Sequence, residues 1–168
     1  MALTTAQKTE LERVASPHAM LSFIRISHSA LDDDIRIVND VLSFVRGGEE
    51  WTAVADLDPR LVSDSEGIPR TVLTVPNVDR RIGEALLATS ERAIVSVEVL
   101  SSADFDLSVD PRTEVGTAAV YHAYYNFEIQ DVSVDDMQVE ATIILRDYSQ
   151  EPWPFVVATE DRLPGLFV

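Results

Sequence analysis

The chain has 168 residues, of which 46% are hydrophobic and 25% are charged, a composition typical of one globular domain with its own core. Its 29 acidic residues against 13 basic ones give a net charge of −16, and the single lysine, Lys8, argues against a surface that follows nucleic-acid phosphates. The lack of cysteine excludes disulfides, thiolate catalysis and cysteine-ligated metal centres. The sequence contains no run of about 18 apolar residues, so no membrane-spanning helix is predicted.

The N-terminal segment predicts a short helix. Thr4 and Gln7 have the spacing of a capping box, and Leu11 and Val14 give the expected helix over Thr4–Ala15 a narrow apolar face. The segment is polar and carries acids, which is typical of neither a signal peptide nor a transit peptide.

Three strands are predicted next. Met20–Ser27 and Ile35–Asn39 are rich in large apolar residues and flank the acidic turn Asp32–Asp34, which predicts an antiparallel hairpin. The pair Gly47–Gly48 indicates a further turn, and Trp51–Ala55 after it is expected to form a short strand.

The middle of the chain is expected to organise the fold as a strand, a corner and a helix. Arg70–Val75 alternates between its two faces, which predicts a strand. Pro76 lacks a backbone donor and is expected to end that strand. Apolar residues at helical spacing within Val78–Thr89 then predict a helix that packs on the same sheet.

The second half predicts three strands and one irregular segment. Ala93–Leu100, Ala118–Gln130 and Met137–Arg146 have strand patterns, and the last two should form a hairpin. The aspartates, proline and glycine within Ser101–Thr117 predict an irregular excursion. The elements together predict a mainly β domain with two short helices (α+β) that occupies residues 1–150.

The C-terminal segment, residues 151–168, has a different composition. It combines three prolines with Trp153, Phe155, Leu166 and Phe167. Prolines at this density resist a helix or a central strand, yet the segment is too apolar for a disordered tail. We therefore expect an extended arm that packs on its own domain or on a neighbouring copy.

Sequence motifs for catalysis or metal binding are absent. His18, His28 and His122 contain no pair at a zinc-ligand spacing, and Asp32–Asp34 lacks the alternation and the glycine of a calcium loop. The sequence also lacks a nucleophile elbow and a glycine-rich phosphate loop. We therefore expect no enzymatic activity, no metal and no cofactor.

Two polar or aromatic clusters leave alternatives open. Asp104 and Asp106 share one face if the chain is extended, and a carboxylate pair suits acid–base chemistry, but without a visible partner a solvated loop is the favoured interpretation. The aromatic run Tyr121–Phe127 alternates partly across two faces. Packing under a sheet is favoured for it, and stacking on a sugar or a base is the alternative.

Four segments together resemble a known family. They are IRIVND at Ile35–Asp40, PRTVLTVPNVDRRIGEAL at Pro69–Leu86, VSVEVLSSADFD at Val95–Asp106, and EPWPF with LPGLF at the C-terminus. Over about Met20–Phe167 the chain resembles a family of small proteins of unknown function that are encoded among the tail genes of long-tailed bacteriophages. A weaker similarity reaches the first domain of the lambdoid minor tail protein L, whose cysteine-rich iron–sulfur segment has no counterpart here.

The resemblance implies a structural role at the phage tail tip. The chain would be a hub-like or distal-tail-like subunit of a ring that links the tail tube to the central fibre. The implied partners are copies of the chain in a trimer or hexamer, together with tail tube, tape-measure and central fibre or hub proteins. The implied location is the tail of the virion, after synthesis in the host cytoplasm. The implied fold is a tail-tube-like or hub-like antiparallel β-sandwich or barrel with a flanking helix and an extended C-terminal arm.

Two other classes of function compete with this role: a host-surface carbohydrate-binding β-sandwich module, and a hydrolase with acidic residues. The aromatic arm and the lack of a nucleophile favour the structural role. Subunit contacts are expected from the four large apolar residues of the arm and from Arg70, Arg80 and Arg81, with acids turned towards a channel for DNA. Neither sequence-specific nucleic-acid binding nor a membrane span is expected.

Overall fold

A computed structural model of the protein describes residues 3–55, 57, 70–76, 91–135 and 138–145. Several expectations concern residues outside these ranges. They are the helix within Val78–Thr89, the C-terminal arm with Trp153, Phe155, Leu166 and Phe167, and the contact candidates Arg80 and Arg81.

The described residues form one α-helix, one 3-10 turn and ten strands. The helix is α1 (Thr5–Leu11), the 3-10 turn is Ser102–Asp104, and the strands are β1 (Met20–Ser27), β2 (Ile35–Val38), β3 (Phe44–Arg46), β4 (Glu49–Ala53), β5 (Arg70–Pro76), β6 (Ile94–Ser101), β7 (Phe105–Asp106), β8 (Arg112–Glu114), β9 (Val120–Val134) and β10 (Gln138–Leu145). The expected mainly β class is confirmed. Among these residues no helix has the length and apolar character needed to cross a membrane.

The ten described strands belong to one sheet in the order β5-β10-β9-β6-β1-β2-β4-β3-β8-β7. This order has two end strands, so the sheet is not closed and the expected barrel is wrong. The expected antiparallel arrangement holds for most of the described strand pairs, with two exceptions: β2 pairs with β4 in parallel, and β3 pairs with β8 in parallel. The first parallel pair arises from the β3–β4 hairpin, because β4, the second strand of that hairpin, lies next to β2.

The helix α1 starts as expected and ends early. The capping box is present, with the Thr4 amide donating to Gln7 Oε1 at 2.8 Å and the Gln7 amide donating to Thr4 Oγ1 at 3.3 Å. The helix nevertheless ends at Leu11 rather than Ala15. The expected apolar face is not packed against the domain, since Leu11 and Val14 are both exposed. A short helix without packing contacts gains too little free energy to extend further.

Two hairpins follow the sequence closely. β1 and β2 pair as expected, with Ile24 opposite Ile37. β3 and β4 are joined by Gly47 and Gly48 alone, with φ angles of +59° and +80°. Positive φ at both central residues is the requirement of a tight type I′ hairpin turn, and glycine meets it without strain. A Cβ added at either position would meet nothing within 4 Å, so backbone conformation is what favours glycine there.

Alternation along β1 divides the interior into two cores on opposite faces of the sheet. Ile24 and Ile26 face the first core, and Leu21 and Phe23 face the second. The first core spans the β5 side of the sheet and includes Leu73, Val75, Val95, Val97, Phe127, Ile129, Val139, Ala141 and Ile143. The second core lies at the β7 end and includes Val38, Phe44, Trp51, Leu100, Phe105 and Ala118.

The sheet curls over its own face at the second core. Phe23 on β1 and Phe105 on β7 lie five strand positions apart, which is roughly 24 Å in a flat sheet. Their rings stack with centroids only 5.5 Å apart. Phe44 meets both rings edge to face, and Trp51 meets Phe23 in the same way. Contact between these four rings is therefore possible only because β3, β8 and β7 fold back over β1.

The segment expected to be irregular, Ser101–Thr117, supplies part of this curl. It contains the 3-10 turn and the strands β7 and β8, and Phe105 at its centre is 5% exposed. The expectation of an irregular excursion missed these two strands, because strands of two and three residues are too short to show alternation.

The aromatic cluster predicts a large loss of stability on truncation of Phe23. Replacing Phe23 with Ala should reduce the free energy of unfolding by about 3–5 kcal/mol, because the ring is buried against three other rings. Urea denaturation monitored by far-UV circular dichroism measures this. The matched control is Val41→Ala, since Val41 is 73% exposed and its truncation should change stability by less than about 0.5 kcal/mol. Equal effects of the two substitutions would contradict the curled core.

Candidate functional site

A cleft of about 770 Å³ lies where the curled end of the sheet faces the open part. Its floor comes from β1, β6 and β9, through Phe23, Arg25, Ser96, Glu98 and Tyr125. One wall comes from the β3–β4 hairpin, through Arg46, Gly47, Glu49 and Trp51. The other comes from the end of β8 and the segment after it, through Glu114, Gly116, Thr117 and Ala118.

A bulge in β9 directs Tyr125 into the cleft. The register of β6 with β9 shifts opposite Ser96, and Asn126 has a φ angle of +61°. Because the bulge adds one residue, Tyr124 and Phe127 both pack on the first core, while Tyr125 lines the cleft on the other face. The aromatic run therefore contributes Tyr124 and Phe127 to core packing and leaves the Tyr125 ring 51% exposed.

Glu98 ties the wall of the cleft to its floor. Its carboxylate forms an ion pair with Arg46 and accepts a hydrogen bond from the Tyr125 hydroxyl at 2.6 Å. The Arg46 guanidinium also lies over the Phe23 ring, 5.5 Å from its centroid. Arg46 is on β3 and Glu98 is on β6, four strand positions apart, so this pair holds the curled end onto the open sheet.

These contacts shift the pKa values of Glu98 and Tyr125 in opposite directions. Burial raises the pKa of the Glu98 carboxyl, but hydrogen bonds from Tyr125 and Arg46 and the charges of Arg46 and Arg25 outweigh burial and lower the pKa overall. The hydrogen bond to Glu98 raises the pKa of the Tyr125 phenol, and burial and the Glu98 charge act in the same direction. At neutral pH the site therefore holds a carboxylate and a neutral phenol.

A second ion-paired group lies on the other side of the cleft. Glu49 accepts from Arg25 at 2.8 Å and from Arg36 at 2.8 and 2.7 Å. The Arg25 guanidinium lies 5.7 Å from the centroid of Trp51 and 3.9 Å from Asp34. The side chains of Arg25 and Glu49 are 42% and 40% exposed. Both groups are thus fixed by contacts within the protein and remain accessible from the cleft.

The wall after β8 is fixed by Glu114. Its two carboxylate oxygens accept from the Gly47 amide at 3.0 Å and from the Ala118 amide at 2.6 Å. The indole N–H of Trp51 is buried and has no hydrogen-bond partner among the described residues.

The three carboxylates of the cleft lining are held by donors within the protein. Glu49, Glu98 and Glu114 each accept from at least one donor that holds the carboxylate in place. A general acid needs a raised pKa at neutral pH, whereas the pKa of Glu98 is lowered. The cleft therefore offers fixed donors, fixed acceptors and one exposed aromatic ring.

Of the seven residues expected to contact other subunits, Arg70 alone lies in the described part of the chain. Arg70 is the first residue of β5, at one end of the sheet, where it is exposed opposite Ile144. It lies apart from the cleft lining, and Arg80 and Arg81 are outside the described residues, so the three arginines are not brought together by the described structure.

The acidic candidates act as local structural acceptors. Asp104 accepts from the Ala119 amide at 3.0 Å. Asp106 accepts from the Ser108 hydroxyl and amide, which lowers the pKa of its carboxyl. Asp34 lies beside Arg25, as part of the turn between β1 and β2. In the described part of the chain no group of three or more His, Asp or Glu side chains lies together as a metal site would need.

The three histidines lie in unrelated places. His28 is buried. Its Nε2–H donates to the Glu91 carbonyl at 3.1 Å and its Nδ1 accepts from the Ala30 amide at 3.0 Å, so His28 holds the turn after β1. His122 is exposed on β9 next to the Tyr124 ring, and His18 precedes β1.

The residues Arg25, Arg46, Glu49 and Glu98 were not predicted as site residues. Each is half-buried on the strand face that carries the second core, two residues from a core side chain. In the sequence alone, a charged residue at such a position has the ordinary pattern of a solvated face. The one local signal was the Gly47–Gly48 turn, which marks the hairpin that forms the wall.

The lowered pKa of Glu98 predicts a pH-dependent contribution to stability. Because the folded-state pKa of Glu98 lies below the ordinary glutamate value of 4.5, the contribution is complete above about pH 4.5 and is lost as the pH falls through the folded-state pKa. Glu98→Gln should therefore lower the urea midpoint at pH 7, and the difference from the natural protein should shrink towards pH 3. Glu128→Gln, which removes a more exposed ion pair with Arg92, is the matched control and should have a smaller effect at pH 7. A pH-independent difference for Glu98→Gln would contradict the assignment.

Comparison with known proteins identifies a family. No curated protein matches this chain. A family model described as a domain of unknown function (DUF1833) matches residues 6–157, a span that contains all ten described strands and the cleft. Because the match extends over most of the sequence, the chain belongs to the DUF1833 family, a family of unknown function.

Proposed function

We propose that this chain is a structural subunit of the tail tip of a long-tailed bacteriophage. In this role it forms a hub-like or distal-tail-like ring between the tail tube and the central fibre, with copies of itself as its first partners. The observation that carries the proposal is the position of the segments that resemble phage tail proteins. Three of them contribute β2, β5, β6 and β7, which are part of the framework of the sheet.

The polar side chains of the first of these segments hold the framework together. The Asn39 side chain accepts from the Ser22 amide at 2.5 Å, and so links the end of β2 to β1. Asp40 forms an ion pair with Arg112, in which both side chains are 16% exposed, and so links the same corner to β8. These side chains serve the shape of the protein, as expected of a structural subunit.

Polar side chains of the segment Val95–Asp106 also hold the framework together. Ser101 accepts from the Ala103 amide at 3.2 Å, and Ser102 accepts from the Ala19 amide at 2.9 Å, so both serines stabilise the corner where β6 ends. Both are buried, at 0% and 5% exposure. A segment whose serines fix a buried corner in this way supports a structural role over a hydrolytic one.

The net charge of −16 fits a subunit whose inner face lines a channel for DNA. DNA carries about one negative charge per 1.7 Å of its axis, so an acidic wall would repel it and keep it moving. In the proposed ring the acids face the channel, and Arg70, Arg80 and Arg81 face neighbouring subunits as partners for carboxylates.

A host-surface carbohydrate-binding module is the second candidate. The cleft favours it, because the cleft combines the exposed Tyr125 ring with accessible donors and acceptors. The position of the gene beside a tape-measure gene would favour the ring subunit, and binding of the purified protein to host cells would favour the module.

The proposed ring predicts that the C-terminal arm is needed for assembly. Deletion of the residues after Gln150 should leave a folded domain that no longer forms rings, because Trp153, Phe155, Leu166 and Phe167 are large apolar anchors of the kind that dominate interfaces. Sedimentation velocity and negative-stain microscopy measure assembly, and circular dichroism measures folding.

The matched control for this deletion keeps the arm and changes only its charge, through Glu160→Gln and Asp161→Asn. This control should assemble like the natural protein. Normal ring formation by the truncated chain would contradict the role of the arm, and the absence of any assembly by the natural protein together with tail tube and fibre partners would contradict the ring.

A further inference from the structure

We propose that the cleft binds a neutral saccharide, with the Tyr125 ring as its stacking surface and the Arg25–Glu49 pair as its hydrogen-bonding group. The proposal goes beyond the role of a ring subunit, because such a subunit can assemble without any saccharide. It rests on the shape of the cleft floor, the fixed orientation of its side chains, and its balance of charge.

The floor of the cleft has the width of a small saccharide. Arg25 lies directly opposite Ser96 on the neighbouring strand, and the bulge that carries Tyr125 lies on the strand beyond. Two strand spacings separate Arg25 from Tyr125, which is roughly 10 Å. The small side chain of Ser96 lies between them and leaves the middle of the floor open. A ligand of one or two sugar rings can therefore touch both ends.

Tyr125 offers an aromatic face that is already oriented. Its hydroxyl donates to Glu98 at 2.6 Å, and Glu98 is itself held by Arg46, so the direction of the ring is fixed at its polar end. The residue is nevertheless 51% exposed. A rigid aromatic ring packs on the apolar C–H face of a sugar with little loss of conformational entropy.

The Arg25–Glu49 pair supplies matching polar groups. A sugar hydroxyl both donates and accepts, and a guanidinium beside a carboxylate offers donors and an acceptor at one place. Arg36 forms an ion pair with Glu49, and the Arg25 guanidinium lies over the Trp51 ring, so both groups are preorganised. Their side chains, at 42% and 40% exposure, can still reach a ligand.

The charges of the cleft select a neutral ligand. The ionisable acids and bases of its lining are Arg25, Arg46, Glu49, Glu98 and Glu114, which give two positive and three negative charges. A slightly negative cleft on a chain of net charge −16 disfavours an anionic ligand. A cationic ligand is disfavoured as well, because each carboxylate in the lining already accepts from an arginine, a tyrosine or a backbone amide.

The experiment uses the full-length protein and an array of neutral oligosaccharides of hexoses, N-acetylhexosamines and deoxyhexoses, with heparin and hyaluronan oligosaccharides as anionic probes. Binding to at least one neutral probe is expected, and its dissociation constant is then measured by calorimetry. Binding to none of the neutral probes, or only to the anionic ones, would overturn the proposal.

Variants of the stacking residue test the geometry. Tyr125→Ala should weaken binding by about tenfold or more, which corresponds to about 1.4 kcal/mol. Tyr125→Phe keeps the stacking surface but loses the hydroxyl that orients it, so it should weaken binding less than Tyr125→Ala does. Tyr121→Ala, an aromatic truncation on the same strand outside the cleft lining, is the matched control and should leave binding unchanged. Equal saccharide affinities of the Tyr125→Ala and Tyr121→Ala variants would refute the role of the Tyr125 side chain in stacking.

A further variant keeps the test valid if Tyr125→Ala fails to fold. Ser96→Phe fills the middle of the floor from a half-buried position and should abolish saccharide binding while the urea midpoint stays near its natural value. If no saccharide binds and Ser96→Phe instead prevents self-association, the cleft is a protein contact and the saccharide site is refuted. Ring formation by a protein that binds no saccharide would leave the tail-tip role intact, so the two proposals fail separately.

Discussion

The fold depends on the burial of four aromatic rings at one end of the sheet. Phe23, Phe44, Trp51 and Phe105 come from four different strands, and each is at most 5% exposed. Aromatic side chains bury more apolar surface than any others and gain further from edge-to-face contact. A flat sheet leaves these rings on separate strands in water, so the free energy of their burial favours the curl. The topology of the β3, β7 and β8 strands follows from that curl.

The rim of this aromatic core explains the polar character of the cleft. The guanidinium groups of three arginines lie over its rings, at 5.7 Å from Trp51, 5.5 Å from Phe23 and 5.3 Å from Phe44. The same arginines, Arg25, Arg46 and Arg112, also form ion pairs with Glu49, Glu98 and Asp40. Each arginine thus lies over a ring and also pairs with a carboxylate. Two of the three carboxylates of the cleft lining, Glu49 and Glu98, are therefore held by arginines that cover the core.

Local sequence patterns predicted the elements well and the site poorly, for one physical reason. Alternation and capping depend on neighbours in the chain, so the bounds of β1 and of the strand that starts at Arg70 agree closely with expectation. The curl depends on contacts between residues far apart in sequence. Phe105, in a strand of two residues, carries no periodic signal. Glu98 resembles any solvated strand residue until Arg46 is brought to it, so neither the ion pair nor the cleft could be predicted.

The bulge in β9 is what allows one strand to serve both a core and a cleft. Strict alternation from Tyr124 would place Asn126 on the first core and Phe127 on the opposite face. The extra residue, marked by the positive φ of Asn126, returns Phe127 to the first core and leaves Tyr125 alone facing the cleft. Tyr125, Asn126 and Ser96 are not buried, so substitutions there change the cleft without removing a side chain from either core. The arrangement separates the part of the sequence that specifies the fold from the part that can specify a ligand.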